Sequence, residues 1–431
     1  MKNAYRMKMV VLSSGERLPM LLDSDGMPLF EPTVYSLAEL RARNRAANTI
    51  ESTLRAIMIF YIYLDDQKIN IIDRLKQGDL LLQWEIESLV DFCRKPMKEK
   101  SSRLCTESES LLHAPVTTSL EKYRKRQDSP VDKDVLPNTA ANRLRIIRDF
   151  LVWLSSVRLL RHNKQSSSVE SLKRAQQIFI NAINARMPAG TKGFLDRREG
   201  LDPESRGKLL QMVEPGSEDN PWIEEHAKYR NSLIVNWLYH LGLRRGELLG
   251  IRISDIDFRG STVIVARRAD DPLDPRRNQP NAKTKARKIP LSPGLLDMTE
   301  KYVMSYRATF PGARKHDFLF VASNSGVPMS ISSLNKIFIV LVKKCPELPK
   351  VYPHLLRHTW NDIFSEKMDE RNESENAEKK TRAYLMGWSD TSGTAATYTR
   401  RHIRKKANEV SLEMQKKMTG GEYEGNLDDK Q

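Results

Sequence analysis

Cysteine is scarce in this 431-residue sequence: Cys93, Cys105 and Cys345 lie far apart and form no CxxC pair. That spacing offers neither a zinc knot nor the framework of a disulfide-stapled secreted domain, so a reduced compartment is the expected setting. Long apolar runs are missing as well. No stretch of about 18 apolar residues occurs, the length a membrane-spanning helix needs, and the apolar run in MKNAYRMKMVVLSSGERLP is too short for a signal peptide. A soluble, cytoplasmic protein with no membrane partner is expected. Acidic residues are in deficit, with Asp+Glu at 55 against Lys+Arg at 71, which leaves a formal charge of +16 and a pI near 9.6. Such a balance disfavours a small acidic partner and favours a polyanion, nucleic acid first.

What is present is ordinary globular material. Charged residues at 29% and hydrophobic ones at 39% exclude disorder as the default, and the length suits two or three domains with their own cores. Residues 1–30 read as an N-terminal extension, with turn chemistry at Asp23, Ser24, Asp25 and Gly26. Residues 31–164 read as a helical domain. Its first helix is expected to be capped by Asn48 with Glu51 completing a capping box, and to bury Ile50, Leu54, Ile57, Met58 and Tyr61. A second apolar-faced helix carries LLLQWEIESLVDFCR, and a third presents Leu144, Ile147, Leu151 and Leu154 on one side with Arg143, Arg145 and Arg148 elsewhere. Between about Lys95 and Pro137 the polar, Pro-containing composition predicts a long connection.

Residues 165–200 are expected to hold a helix and an interdomain linker, and residues 201–415 a second domain, followed by a disordered tail at 416–431. Asp202 and Pro203 give a helix start, and Gly242 a helix end. Two short strand signals follow, Thr262 to Ala266 and Lys288 to Leu291, and the polar, Pro-rich stretch between them predicts an exposed excursion. The fold class expected is mainly α with a small antiparallel β-sheet.

Three motifs carry chemistry. GLRRGEL places Arg244 and Glu247 just after the helix end at Gly242; HLLRHTW holds His354, Arg357 and His358; the run Thr397-Tyr398-Thr399 supplies a phenol. A phosphodiester under attack gathers charge on its non-bridging oxygens, and guanidinium forks match those oxygens in shape and charge. Arg244 is expected to reach into a cleft while Glu247 returns to the core, and Arg245 is read as a plain surface residue. His354 and Arg357 stand three apart on a helix opened by Pro353 and can address one phosphate together. His354 can move a proton at neutral pH, and His358 is assigned a supporting role. Tyr398, as one of thirteen tyrosines, would ordinarily be packing. A phenol becomes a nucleophile only where Arg and His favour its phenolate.

The ordered set GLRRGEL, a Lys in NAKTKARKIPL, HLLRHTW and LMGWSDTSGTAATYTR resembles the tyrosine recombinase (phage integrase) family over roughly residues 200–415. A weaker helical match to that family's core-binding domain runs from about 35 to 160. The resemblance implies a helical core-binding domain plus a mixed α+β catalytic domain that clamp double-stranded DNA. It implies Arg244 and Arg357 as catalytic arginines, His354 as their partner, Trp388 in the family's His/Trp position and Tyr398 as nucleophile. Lys283 falls where the family carries a catalytic Lys on a β-hairpin, with Lys285 as the alternative general acid. Cleavage without metal, cofactor or ATP, a 3′-phosphotyrosyl intermediate and a tetramer on DNA, with a monomer in solution, follow from the same resemblance. The chain departs from the common pattern in having Trp388 instead of His and in a longer stretch from Trp388 to Tyr398. Two rivals remain: a type IB topoisomerase, disfavoured because such enzymes usually have Lys where His354 stands, and a non-catalytic DNA-binding accessory.

Overall fold

The protein was analysed as a computed structural model, which describes residues 5–97, 134–161, 167–189, 200–282, 284–389, 393, 398, 407 and 410–415. The predicted tail at 416–431, most of the predicted connection after Lys95, and Lys283 lie outside the described residues. The chain divides into two compact units, Met1–Leu12 with Arg17–Phe194 and Ser13–Glu16 with Leu195–Gln431. The architecture is mainly α with small antiparallel sheets, as the sequence predicts.

In the first unit the stretch read as an extension folds into a hairpin. Strands β1 (Arg6–Val11) and β2 (Arg17–Leu22) pair antiparallel from Arg6↔Leu22 to Val11↔Arg17. β2 alternates more and less buried positions along most of its length, so Leu21 reaches the helical core. The helices are α1 (Phe30–Tyr35), continued by a π-helical turn at Ser36–Arg41, then α2 (Ala47–Asp66), α3 (Ile71–Gln77), α4 (Gln83–Arg94), α5 (Pro137–Arg161) and α6 (Ser167–Ala185). Their core joins Leu54, Ile57 and Phe60 of α2 to Leu144, Ile147 and Leu151 of α5 and Phe179 of α6. The α2 cap differs from expectation: the helix starts at Ala47, Ala46 is its uncapped N-cap, and Glu51 bonds Arg55 at 2.9 Å one turn on. The basic face of α5 is also less open than its sequence indicates. Arg143 donates to the carbonyls of Cys93 and Lys95 at the end of α4, 2.9 and 2.8 Å away, which satisfies acceptors a helix C-terminus leaves unpaired.

The second unit is built on α8 (Glu225–Leu241), which is buried almost all round and therefore sits inside a shell of other elements. Around it lie α7 (Pro203–Val213), α9 (Arg245–Gly250), α10 (Pro293–Lys301), α11 (Ile331–Lys344), α12 (Pro353–Glu370) and α13 (Glu375–Met386). Asp202 caps α7 by accepting from the Ser205 N–H at 2.9 Å, the predicted start. A three-stranded antiparallel sheet runs in the order β3 (Ile256–Asp257), β4 (Thr262–Val265) and β5 (Arg287–Pro290).

The excursion between β4 and β5 was expected to be exposed, yet Asp274, Arg276, Gln279 and Thr284 are buried. Arg276 forks onto Asp274 through two 2.8 Å bonds and donates to the carbonyls of Leu249 and Met329, both at 2.9 Å. Polar composition misleads here because the charges neutralise one another and tie the loop to the core. Among the described residues, no helix is long and apolar enough to cross a membrane, and no group of three His, Cys, Asp or Glu is arranged to hold a metal ion.

Candidate active site

The site begins at a helix end. α8 stops at Gly242, whose φ of 59° is left-handed, and a side chain there would meet the Trp360 ring within 2.9 Å. Glycine is thus required twice over, by conformation and by space. The turn it permits sets Arg244 at the N-cap of α9 with its side chain 29% exposed, while Arg245 faces solvent and Glu247 is buried.

Glu247 organises the cluster. It accepts from the backbone N–H of Arg244 at 3.2 Å, Arg244 Nη1 at 3.1 Å, Thr284 Oγ1 at 2.8 Å and Arg287 Nη2 at 2.8 Å, and Arg357 Nη1 lies 3.8 Å away. Burial alone would raise its pKa, but the positive charges of Arg287 and Arg357 outweigh burial and hold the carboxylate below its ordinary range. Three guanidinium groups thus surround one carboxylate, an excess of positive charge suited to an anion.

Arg357 is the most enclosed of them, with a side chain only 1% exposed. Its Nη1 donates to the Gly242 carbonyl at 2.6 Å, its Cζ lies 5.3 Å from the centre of the Trp388 ring, and its buried Nη2 has no hydrogen-bond partner among the described residues. Burial, with the neighbouring Arg244 charge, pushes its pKa down to about 9 against the pull of Glu247. A buried donor left open in this way is costly unless a ligand fills it. The indole Nε1 of Trp388 is a second buried donor without a partner among the described residues.

Tyr398 closes the cluster. Its ring stacks on Trp388 at 5.6 Å and 11°, and its hydroxyl lies 3.0 Å from Nδ1 of His358. His358, assigned a supporting role from sequence, meets the phenol directly. His354 and His358 are four residues apart, their rings 4.4 Å from each other on one helix face, whereas Arg357 turns into the core. His354 is exposed and Arg357 buried.

Lys285 lies in the stretch that leads into β5. Its side chain is exposed, and its backbone N–H bonds the Gly387 carbonyl at 2.9 Å. Gly387 has a φ of 64°, and a Cβ there would come within 2.7 Å of the Lys285 carbonyl. The β5 approach is thereby fixed against the end of α13, just before Trp388. Lys283 lies outside the described residues.

Two residues escaped sequence reading. Arg287 opens β5 facing inward, bonding Glu247, Thr284 and the Leu385 carbonyl at 2.6 Å; the signal is its place on the buried side of an alternating strand. Arg382 is buried beside Tyr398, four residues after Glu378. In sequence that spacing looks like any surface helix pair.

Residues 208–404 match the model of the phage integrase family. Its curated relatives are tyrosine recombinases. One, tyrosine recombinase XerC of Bacillus subtilis (strain 168), is 28% identical over 42% of this chain and 52% of its own length. Another, tyrosine recombinase XerA of Pyrococcus horikoshii, is 29% identical over 49% of this chain and 64% of its own. The chain spans about half the length of the first curated relatives it matches. Among solved structures, the Tn1549 transposon integrase in complex with transposon right end DNA is similar in fold, with a TM-score of 0.50, 16% identity, and coverage of 89% of this chain and 100% of the other.

Proposed function

We propose that this chain is a site-specific DNA recombinase, an integrase of a mobile element, which cuts and rejoins duplex DNA through a 3′-phosphotyrosyl intermediate. The observation that carries the reading is the open Nη2 of buried Arg357, in the cluster that Tyr398 closes beside His358. A phosphate oxygen would fill that donor, with Arg244 supplying a second fork from the more exposed side. The phenol oxygen of Tyr398 would attack phosphorus as its proton passes to His358, and the bond to the 5′ oxygen would break. Lys283 would protonate that leaving oxygen, with Lys285 as the alternative. The new phosphotyrosyl ester keeps the energy of the phosphodiester, so attack by a 5′-hydroxyl can restore a DNA strand and free the tyrosine.

His354 would assist from the exposed face, as a donor to the same phosphate. Trp388 would work by packing and by its indole N–H, since it cannot transfer a proton. The helical first unit would serve as the core-binding domain, and four copies on double-stranded DNA would complete the reaction. Naming of the curated relatives as tyrosine recombinases supports this reading, as does the DNA-bound transposon integrase of similar fold.

The test is a set of suicide duplexes taken from DNA flanking the encoding gene, with a nick that lets the cleaved fragment diffuse away. The expected result is a DNA adduct that survives detergent, forms in chelator without ATP, and weakens steeply in yield as salt rises. Duplexes that are bound but never joined to protein would leave only a DNA-binding protein.

A further inference from the structure

Arg382 lies on α13 with none of its side chain exposed, a costly place for a charge that must be compensated. Its compensation is partial. One nitrogen bonds both Glu378 and Ser365, and Ser365 in turn donates to Glu378 at 2.8 Å, but Nε and Nη1 have no hydrogen-bond partner among the described residues. The guanidinium lies between two aromatic rings instead, its Cζ 5.1 Å from the centre of Phe364 and 5.8 Å from that of Tyr398. A hydrophobic residue would fill this space without charge, so a cation here calls for a physical consequence. We propose that Arg382 is a positioning residue for Tyr398, holding its ring and favouring its phenolate form.

The inference rests on Tyr398 being the nucleophile of the proposed function, and it adds a residue that acts through the phenol without touching DNA. Charge against the ring stabilises negative charge on the phenol oxygen more than a neutral phenol. Burial lowers the pKa of Arg382, whereas Glu378, Asp362 and Tyr398 each pull it back up, which is the reciprocal of its effect on the phenol. The titratable and charged groups facing this region are His354, Arg357, His358 and Asp362 on α12, and Glu378 and Arg382 on α13. Arg244 and Glu247 face it from the turn after α8, and Arg287 from β5 behind Glu247. Of these cations, Arg357 is matched to Glu247, whereas the guanidinium of Arg382 lies 5.8 Å from the centre of the Tyr398 ring.

The experiment places 3-fluorotyrosine at position 398 of the full chain and follows its fluorine resonance through a pH titration without DNA. Arg382→Met is expected to raise the midpoint by about one pH unit, equivalent to a tenfold loss of phenolate, while Arg382→Lys stays near the parent value. Glu378→Gln, which strips the neutralising carboxylate from Arg382, is expected to lower it. A midpoint unmoved by Arg382→Met would overturn the inference. Should that variant fail to fold, Glu378→Gln decides: a lowered midpoint supports the proposal and an unchanged or raised one overturns it. Adduct formation on the suicide duplex, run in parallel, tells the two readings apart. No adduct with the parent protein removes the nucleophile reading; an adduct together with an unmoved midpoint removes the role of Arg382 alone.

Discussion

Nδ1 of His358 and the hydroxyl of Tyr398 are 3.0 Å apart, so a phenol and an imidazole forty residues distant in sequence share one hydrogen bond. With Nδ1 accepting, the imidazole would take the phenolic proton in the proposed attack. Replacing His358 by Phe keeps an aromatic ring beside Tyr398 and removes the acceptor. Adduct formation in single turnover is expected to slow by about 10²- to 10⁴-fold, the usual worth of a placed acid or base, with DNA affinity unchanged by fluorescence anisotropy. An unchanged rate would return His358 to a packing role.

Arg357→Lys tests the open donor. Lysine keeps the charge but cannot present a planar fork, so it cannot bond the Gly242 carbonyl and a phosphate together. Adduct formation is expected to fall by about 10²- to 10³-fold, as when one donor to a developing oxyanion is lost. Thermal unfolding should change far less than activity.

Glu247→Gln leaves Arg244, Arg287 and Arg357 around a neutral amide. Breaking such a buried pairing costs about 3–5 kcal/mol, measurable by urea unfolding at pH 7. Because the Glu247 pKa is held below its ordinary value in the fold, its contribution is complete above the unfolded value of 4.5 and is lost as pH falls towards the folded one. Stability curves of parent and variant should therefore converge below that pH. Curves that stay parallel would mean the carboxylate is not the centre of the cluster.

His226 sets a separate acid window. Its two ring nitrogens are buried without partners among the described residues, the ring edge-on to Phe310 at 4.4 Å, and burial lowers its pKa from 6.5 to about 4. The unfolded chain binds that proton first, so stability is full above about 6.5 and declines as pH falls towards 4. His226→Phe should flatten the decline, read as melting temperature against pH.

Much of this was legible in the sequence, for reasons that differ by element. The start of α7 at Asp202 and the end of α8 at Gly242 depend on local chemistry, and the apolar stripes of α2 and α5 follow helical period. Residues brought together by long-range packing were not legible. Arg276 looked like part of a solvated loop because its partners, the carbonyls of Leu249 and Met329, come from distant segments. Arg287 and Arg382 were hidden for the same reason, since a buried arginine is known only by what the fold wraps around it. The HLLRHTW motif was found, but its spacing alone did not tell which histidine would meet the tyrosine.

The central claim is that Tyr398 carries the DNA, and peptide mapping of the adduct tests it most directly. After digestion of the adduct with protease and nuclease, mass spectrometry should find a nucleotide joined through its 3′ phosphate to the peptide containing Tyr398, and Tyr398→Phe should yield no adduct. A linkage at any other residue, a 5′ linkage, or an adduct that persists in Tyr398→Phe would contradict the account.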